Sequence, residues 1–149
     1  MRKGTRFRYM TLNSISSHNG ETNPKLLSPL TLAFIGDSVF DLMMREYYVK
    51  QANRPVKALH SLAAKQVCAN AQSRAAELVL TMLTEEEQAV FRRGRNAHTS
   101  HTPKSSTEQD YHKATGLEAL FGFLYLNGQA ERIAELFNVI VDAIGGQEE

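Results

Sequence analysis

Residues 28–45 read SPLTLAFIGDSVFDLMMR, and the reading of this stretch decides the fold class. Ser28 before Pro29 is a helix start: a side-chain cap, then a residue whose fixed φ suits the first helical position. Leu32, Ile35, Val39 and Leu42 recur at spacings of three and four, which predicts a helix of about twenty residues with one apolar stripe. The other face presents Asp37, Asp41 and Arg45. Gly36, inside this helix, costs about 1 kcal/mol relative to alanine and so needs a reason. A glycine beside an acid lets another backbone or a ligand approach closely. Two readings follow: a helix-crossing contact with Asp37 in solvent, or a site built around Asp37.

Outward from this helix the pattern remains helical. Pro55 opens a segment, residues 56–83, that is rich in alanine and carries Leu59, Leu62, Val67, Leu78 and Leu83; it reads as one long helix or two with a bend. Cys68 lies within it and reads as a small packed residue. Thr84 and Glu87 make a capping box with Glu85 and Glu86 at the positive helix end, predicting a short helix to about Arg93 that stops at Gly94. Residues 95–106, with Pro103 and several Ser and Thr, read as the one substantial internal loop. Thr107 and Asp110 form a second possible capping box; Leu117, Leu120, Phe121 and Leu124 mark a helix ending at Asn127-Gly128. Ile133, Leu136, Phe137, Ile140 and Val141 mark a last one ending at Gly145-Gly146. Nothing alternates with the two-residue period of strands, so the fold reading is an all-α bundle.

At 149 residues the chain fits one core, and with 42% hydrophobic and 22% charged residues it is neither disordered nor fibrous as a whole. No apolar run approaches the ~18 residues of a membrane span. A lone cysteine and the absence of a secretory pattern predict a cytoplasmic protein. The net charge of +1 conceals an uneven distribution. Residues 1–10 carry +4 through Arg2, Lys3, Arg6 and Arg8, residues 92–113 carry +3, and the remainder −6. Two basic segments on an acidic body suit a polyanion partner and a separate cation site. Residues 1–28 lack periodicity and are expected to form a flexible basic arm, ahead of a folded domain over 29–145 and a tail over 146–149.

Two carboxylates stand out. Asp37 follows Gly36, and Glu118 lies on a strongly apolar helix next to Ala119-Leu120-Phe121-Gly122. Glu118 is either at the solvent margin or drawn into a polar site where its charge is compensated. Carboxylates from two helices are a minimal oxygen site for Mg²⁺, whose shell is commonly completed by water and substrate phosphate. Arg92-Arg93-Gly94-Arg95-Asn96 places three guanidiniums around a glycine, a donor set for phosphate, with Lys104 further along. The helix dipole would account for Arg92 and Arg93 but not for Arg95 or Lys104. His98 and His101 have the spacing of a metal pair without acids or cysteines in their loop.

Residues 32–40, LAFIGDSVF, resemble the signature helix of the ribonuclease III family, and residues 115–122, TGLEALFG, resemble its second acidic helix. With RGRNA at 93–97 and the short chain, the sequence is similar to the Mini-III ribonucleases over roughly residues 28–144. The resemblance implies a ribonuclease III-type helical endonuclease domain, acting as a homodimer, that cuts double-stranded RNA with Mg²⁺, Mn²⁺ substituting. It implies that Asp37 and Glu118 are the catalytic metal ligands, and that the substrate is precursor 23S ribosomal RNA whose ends are matured, with a large-subunit ribosomal protein shaping it. Arg92, Arg93, Arg95, Asn96 and Lys104 are the expected RNA-binding residues. The chain departs from full-length ribonuclease III at Ala33 and Thr115, where those enzymes have acids, a departure the Mini-III enzymes share. A second reading keeps the same basic loop on a catalytically silent duplex-RNA-binding or ribosome-assembly module.

Overall fold

The computed structural model describes residues 22–97 and 107–148. Six α-helices and two 3₁₀ turns, Pro24–Leu26 and Leu80–Met82, make up the regular structure of these residues, and no strand occurs among them. The helices are α1 (Pro29–Gln51), α2 (Val56–Val67), α3 (Ala69–Val79), α4 (Glu85–Arg95), α5 (Glu108–Leu126) and α6 (Ala130–Glu148).

Local chemistry sets the ends. Ser28 Oγ accepts from the Thr31 N–H at 3.2 Å with Pro29 as the first helical residue. Thr84 and Glu87 form the reciprocal capping box at α4, at 2.9 and 3.2 Å, and Thr107 Oγ1 accepts from the Asp110 N–H at 3.1 Å to open α5. At the end of α5, Gly128 has φ +72, and the N–H groups of Gly128 and Gln129 return to the carbonyls of Tyr125 and Leu124. The 56–83 segment divides at Cys68, an extended residue between α2 and α3; this cysteine is exposed rather than packed, because the chain turns there. Pro24 is buried and residues 24–26 are ordered as a turn, so the expected arm is structured at its end. The last helix also passes its expected stop, running through Gly145 and Gly146 to Glu148.

Helix α5 is the axis, with α1, α3 and α4 packed around it, α2 against α1, and α6 against α3 and α5. Phe121 meets Phe40 edge-on at 5.5 Å between centroids, and Phe40 meets Phe137 at 6.0 Å, linking α5, α1 and α6. Such pairs add about 1 kcal/mol each beyond area burial. The buried stripe of α1 is Leu32, Ala33, Gly36, Val39, Phe40, Met43, Met44 and Tyr48. Leu32 and Val39 of the expected stripe lie in it and Ile35 packs against it, but Leu42 is 45% exposed, the core instead taking Met43 and Met44. One further tie crosses the bundle. The Arg132 guanidinium of α6 grips both carboxylate oxygens of buried Glu87 at 2.9 Å and donates to the Met82 carbonyl at 2.6 Å.

Candidate active site

Two pairs of glycines bring the elements of the site together. A Cβ on Gly36 would stand 1.6 Å from the Glu118 carbonyl oxygen, and one on Gly122 would stand 1.9 Å from the Leu32 carbonyl oxygen. Backbone therefore meets backbone where α1 crosses α5. The two readings of Gly36 merge: it is a helix-crossing residue, and the backbone it admits is that of the second acid. Asp37 follows Gly36 on α1, and Glu118 lies one turn before Gly122 on the same side of α5.

The electrostatics record that proximity. Burial first, and the neighbouring Asp37 charge second, push the Glu118 carboxyl up to about 8. Asp37 is raised as well, by partial desolvation and by Asp41 one turn along α1. Among the described residues neither carboxylate has an ion-pair partner, whereas Asp41 is held by Arg45 at 3.2 Å. Two acids with raised affinity for protons and no cation beside them form a site that stabilises an added positive charge. The positions equivalent to the absent acids offer no replacement. Ala33 is buried in the core, and the Thr115 hydroxyl, also buried, donates to the Tyr111 carbonyl of its own helix at 3.0 Å. Among the described residues no cluster of three or more metal-ligating side chains occurs, so a metal here would rest on two protein carboxylates, a set that suits hard, well-hydrated Mg²⁺.

The second glycine pair joins α4 to α5. A Cβ on Gly94 would come within 2.7 Å of Ala119 Cβ and 3.0 Å of Gly116 Cα, and one on Gly116 would meet Phe91 at 2.9 Å. This corrects the expected end of α4: Gly94 is a buried contact inside the helix, which continues to Arg95. The crossing sets Gly94 against the turn of α5 that precedes Glu118, with Arg93 and Arg95 its neighbours in the chain.

The basic residues divide their work. Arg92 is exposed and joins Arg93, Asn96 and Ala97 around an open recess of ≈ 610 Å³. Arg93 also donates to the Leu27 carbonyl at 3.3 Å, holding the chain that enters α1. Arg95 Nε donates to Asn96 Oδ1 at 3.4 Å, and both side chains line a second recess of ≈ 440 Å³ with His112 and Lys113. Lys104, the His98/His101 pair and the basic residues 2–8 lie outside the described residues. Sequence reading named Asp37, Glu118 and the arginines as candidates, and it overlooked Gly94 and Gly116 as a contact, Asp41 as a neighbouring charge, and His112. The small-residue spacing in TGLEALFG is the signal that could have found the contact.

The ribonuclease III domain description matches residues 30–129. The chain is 46% identical over 118 residues to the Mini-ribonuclease 3 of Thermoanaerobacter sp., covering 79% of this chain and 83% of that protein. It is 43% identical over 122 residues to the Mini-ribonuclease 3 of Symbiobacterium thermophilum, covering 82% and 94%. The crystal structure of protein FN1578 from Fusobacterium nucleatum is similar with a TM-score of 0.74 at 31% identity, covering 82% of this chain and 98% of that one. With its all-helical fold, these similarities show that the chain belongs to the ribonuclease III family and is an endoribonuclease of the Mini-ribonuclease 3 kind.

Proposed function

We propose that this endoribonuclease uses Mg²⁺, with Mn²⁺ able to substitute, to hydrolyse double-stranded RNA, and that it matures the ends of precursor 23S ribosomal RNA in the cytoplasm. The observation that carries the reading is the pair Asp37 and Glu118, drawn together by the α1–α5 crossing with no ion-pair partner among the described residues, with α5 packed against a helix end rich in guanidinium groups. Asp37 and Glu118 would hold the ion, and two carboxylates suit a hard cation that keeps water and takes phosphate oxygen. When bound, the ion supplies an activated water and offsets charge on the scissile phosphate and leaving oxygen. The chain's own further work is positioning. Arg92, Arg95, Asn96 and Lys104 bind backbone phosphates and 2′-hydroxyls, which suits A-form RNA because its deep major groove is closed to side chains. Arg93 serves both phosphate and the fold through its bond to the Leu27 carbonyl.

Homodimer formation is part of the reading. Leu30 (41%), Phe34 (81%) and Leu42 (45%) are exposed on α1, the helix that carries Asp37. An exposed apolar face on the acidic helix supports a second copy there, which would bring two sites to one duplex. A large-subunit ribosomal protein that shapes the RNA would supply the site selection that two carboxylates and a basic loop do not. The test is incubation of a long RNA duplex with wild type, Asp37→Asn and Glu118→Gln, with and without Mg²⁺, and resolution of the products. Cleavage confined to wild type with metal supports the reading. Salt-dependent binding without products in either Mg²⁺ or Mn²⁺ would instead make the chain a silent RNA-binding or ribosome-assembly module.

A further inference from the structure

From the contact between the two helices that bound residues 98–106, we infer that His112 is a positioning residue for duplex binding: its ring holds the Arg95 backbone, and through it the Arg95 and Asn96 side chains. This rests on the phosphate-binding reading of those two residues. His112 Nδ1 lies 2.9 Å from the Arg95 carbonyl oxygen, a contact across 17 residues of chain. A carbonyl only accepts, so Nδ1 carries the proton and donates. The Arg95 carbonyl belongs to the last residue of α4, where helix geometry leaves carbonyls without intrahelical partners. Its neighbours are served locally, the carbonyls of Arg92 and Gly94 accepting from the N–H groups of Asn96 and Ala97. For the Arg95 carbonyl the partner comes from α5 instead, so the end of α4 is fixed to the start of α5.

The ring itself is well held. It stacks edge-on to Tyr111 with centroids 6.2 Å apart, its side chain is only 25% exposed, and Nε2 lies 3.8 Å from Glu108 Oε1. His112 lines the same recess as Arg95, Asn96 and Lys113. A guanidinium on a fixed backbone loses less freedom on meeting a phosphate than one on a loose helix end. The latch thus raises affinity without touching the carboxylate pair.

The test measures affinity for a labelled RNA duplex in Ca²⁺ as a function of salt, with cleavage in Mg²⁺ followed in parallel. His112→Phe keeps a ring against Tyr111 and removes the donor; His112→Asn restores a donor close to Nδ1; His112→Ala repeats the loss in a smaller side chain. The expected result is binding weaker by about tenfold in His112→Phe and His112→Ala, with the salt slope reduced by about one counterion. His112→Asn should lie within about twofold of wild type, and His112→Phe should cost clearly less in an Arg95→Ala background than in wild type, the remainder being the Asn96 contact. Wild-type affinity in His112→Phe, failure of Asn to rescue, or additivity with Arg95→Ala overturns the latch. If wild type binds and cleaves but His112→Phe behaves like it, only the latch falls. If wild type binds without cleaving and the histidine variants weaken binding as expected, the cleavage reading falls and the latch stands. No duplex binding by wild type removes both.

Discussion

Gly36→Ala tests the origin of the carboxylate pair directly. The added Cβ would sit 1.6 Å from the Glu118 carbonyl oxygen and 2.7 Å from the Gly122 nitrogen, where ordinary contacts begin at 3.4 Å. The obstacle is backbone on both counts, so no rotamer change relieves it; α1 and α5 must separate by about 2 Å. Overpacking relieved by moving helices lies at the upper end of the usual range, about 3 kcal/mol. For a chain of this size that lowers the thermal midpoint by about 10 °C. The separation also moves Asp37 from Glu118, and misplacement of catalytic groups by about 1 Å costs on the order of 100-fold in rate. Gly145→Ala provides the control of opposite sign. Its Cβ would meet only the Tyr47 hydroxyl, at 3.9 Å, so helix propensity alone acts and stability should rise by up to about 1 kcal/mol. Thermal melts of both variants, with rates on a duplex substrate at a temperature where each is folded, decide the matter. A Gly36→Ala protein that melts within about 1 °C of wild type and cleaves at its rate would refute the crossing as the determinant of the site.

Three further outcomes are expected. Without metal, Glu118 binds its proton more tightly in the fold than in the unfolded chain, so stability should fall as pH rises from about 4.5 to about 8; Glu118→Gln should flatten that part of the melting profile, and an unchanged profile would contradict the burial of this acid. Arg132→Met leaves the Glu87 carboxylate buried and unpaired and should cost about 3 kcal/mol in chemical denaturation. Burial pushes Glu87 up, but the hydrogen bonds from Arg132 and Thr84 outweigh it and hold the carboxyl below 4.5; in wild type this contribution is present above pH 4.5 and lost as pH falls through the lower folded value. Finally, wild type should sediment as a dimer and Phe34→Glu as a monomer; a monomeric wild type would remove the second copy from the reading.

Helix starts were legible in the sequence because their chemistry is local. Ser28-Pro29, Thr84-Glu87 and Thr107 each satisfy backbone groups within three residues, and the structure uses all three. The stop at Gly94 was misread for the complementary reason. A glycine after basic residues has the composition of a helix end, but its role depends on Gly116, which is distant in sequence. The stripe of α1 was misread at Leu42 because that residue is as apolar as the core residues, and spacing alone does not say where the covered face ends. Asp37 and Glu118 could be named individually; their adjacency could not be read until two close backbone contacts set them side by side. His112 left no trace in the pattern, since a single ring nitrogen meeting a backbone carbonyl has no periodicity.

The interval between Gly116 and Gly122 acts as a ruler. Six residues advance α5 by about 9 Å and turn it by about 600°, so the two flat places face α4 and α1 from directions about 120° apart. Inserting or deleting one residue within the interval would rotate one flat place by about 100° against the other. Either α4 or α1 would then meet a side chain where it needs bare backbone, and the phosphate grip would lose its phase with the acids. Substitutions can accumulate around this segment, while its length is locked by the two helices it must seat at once.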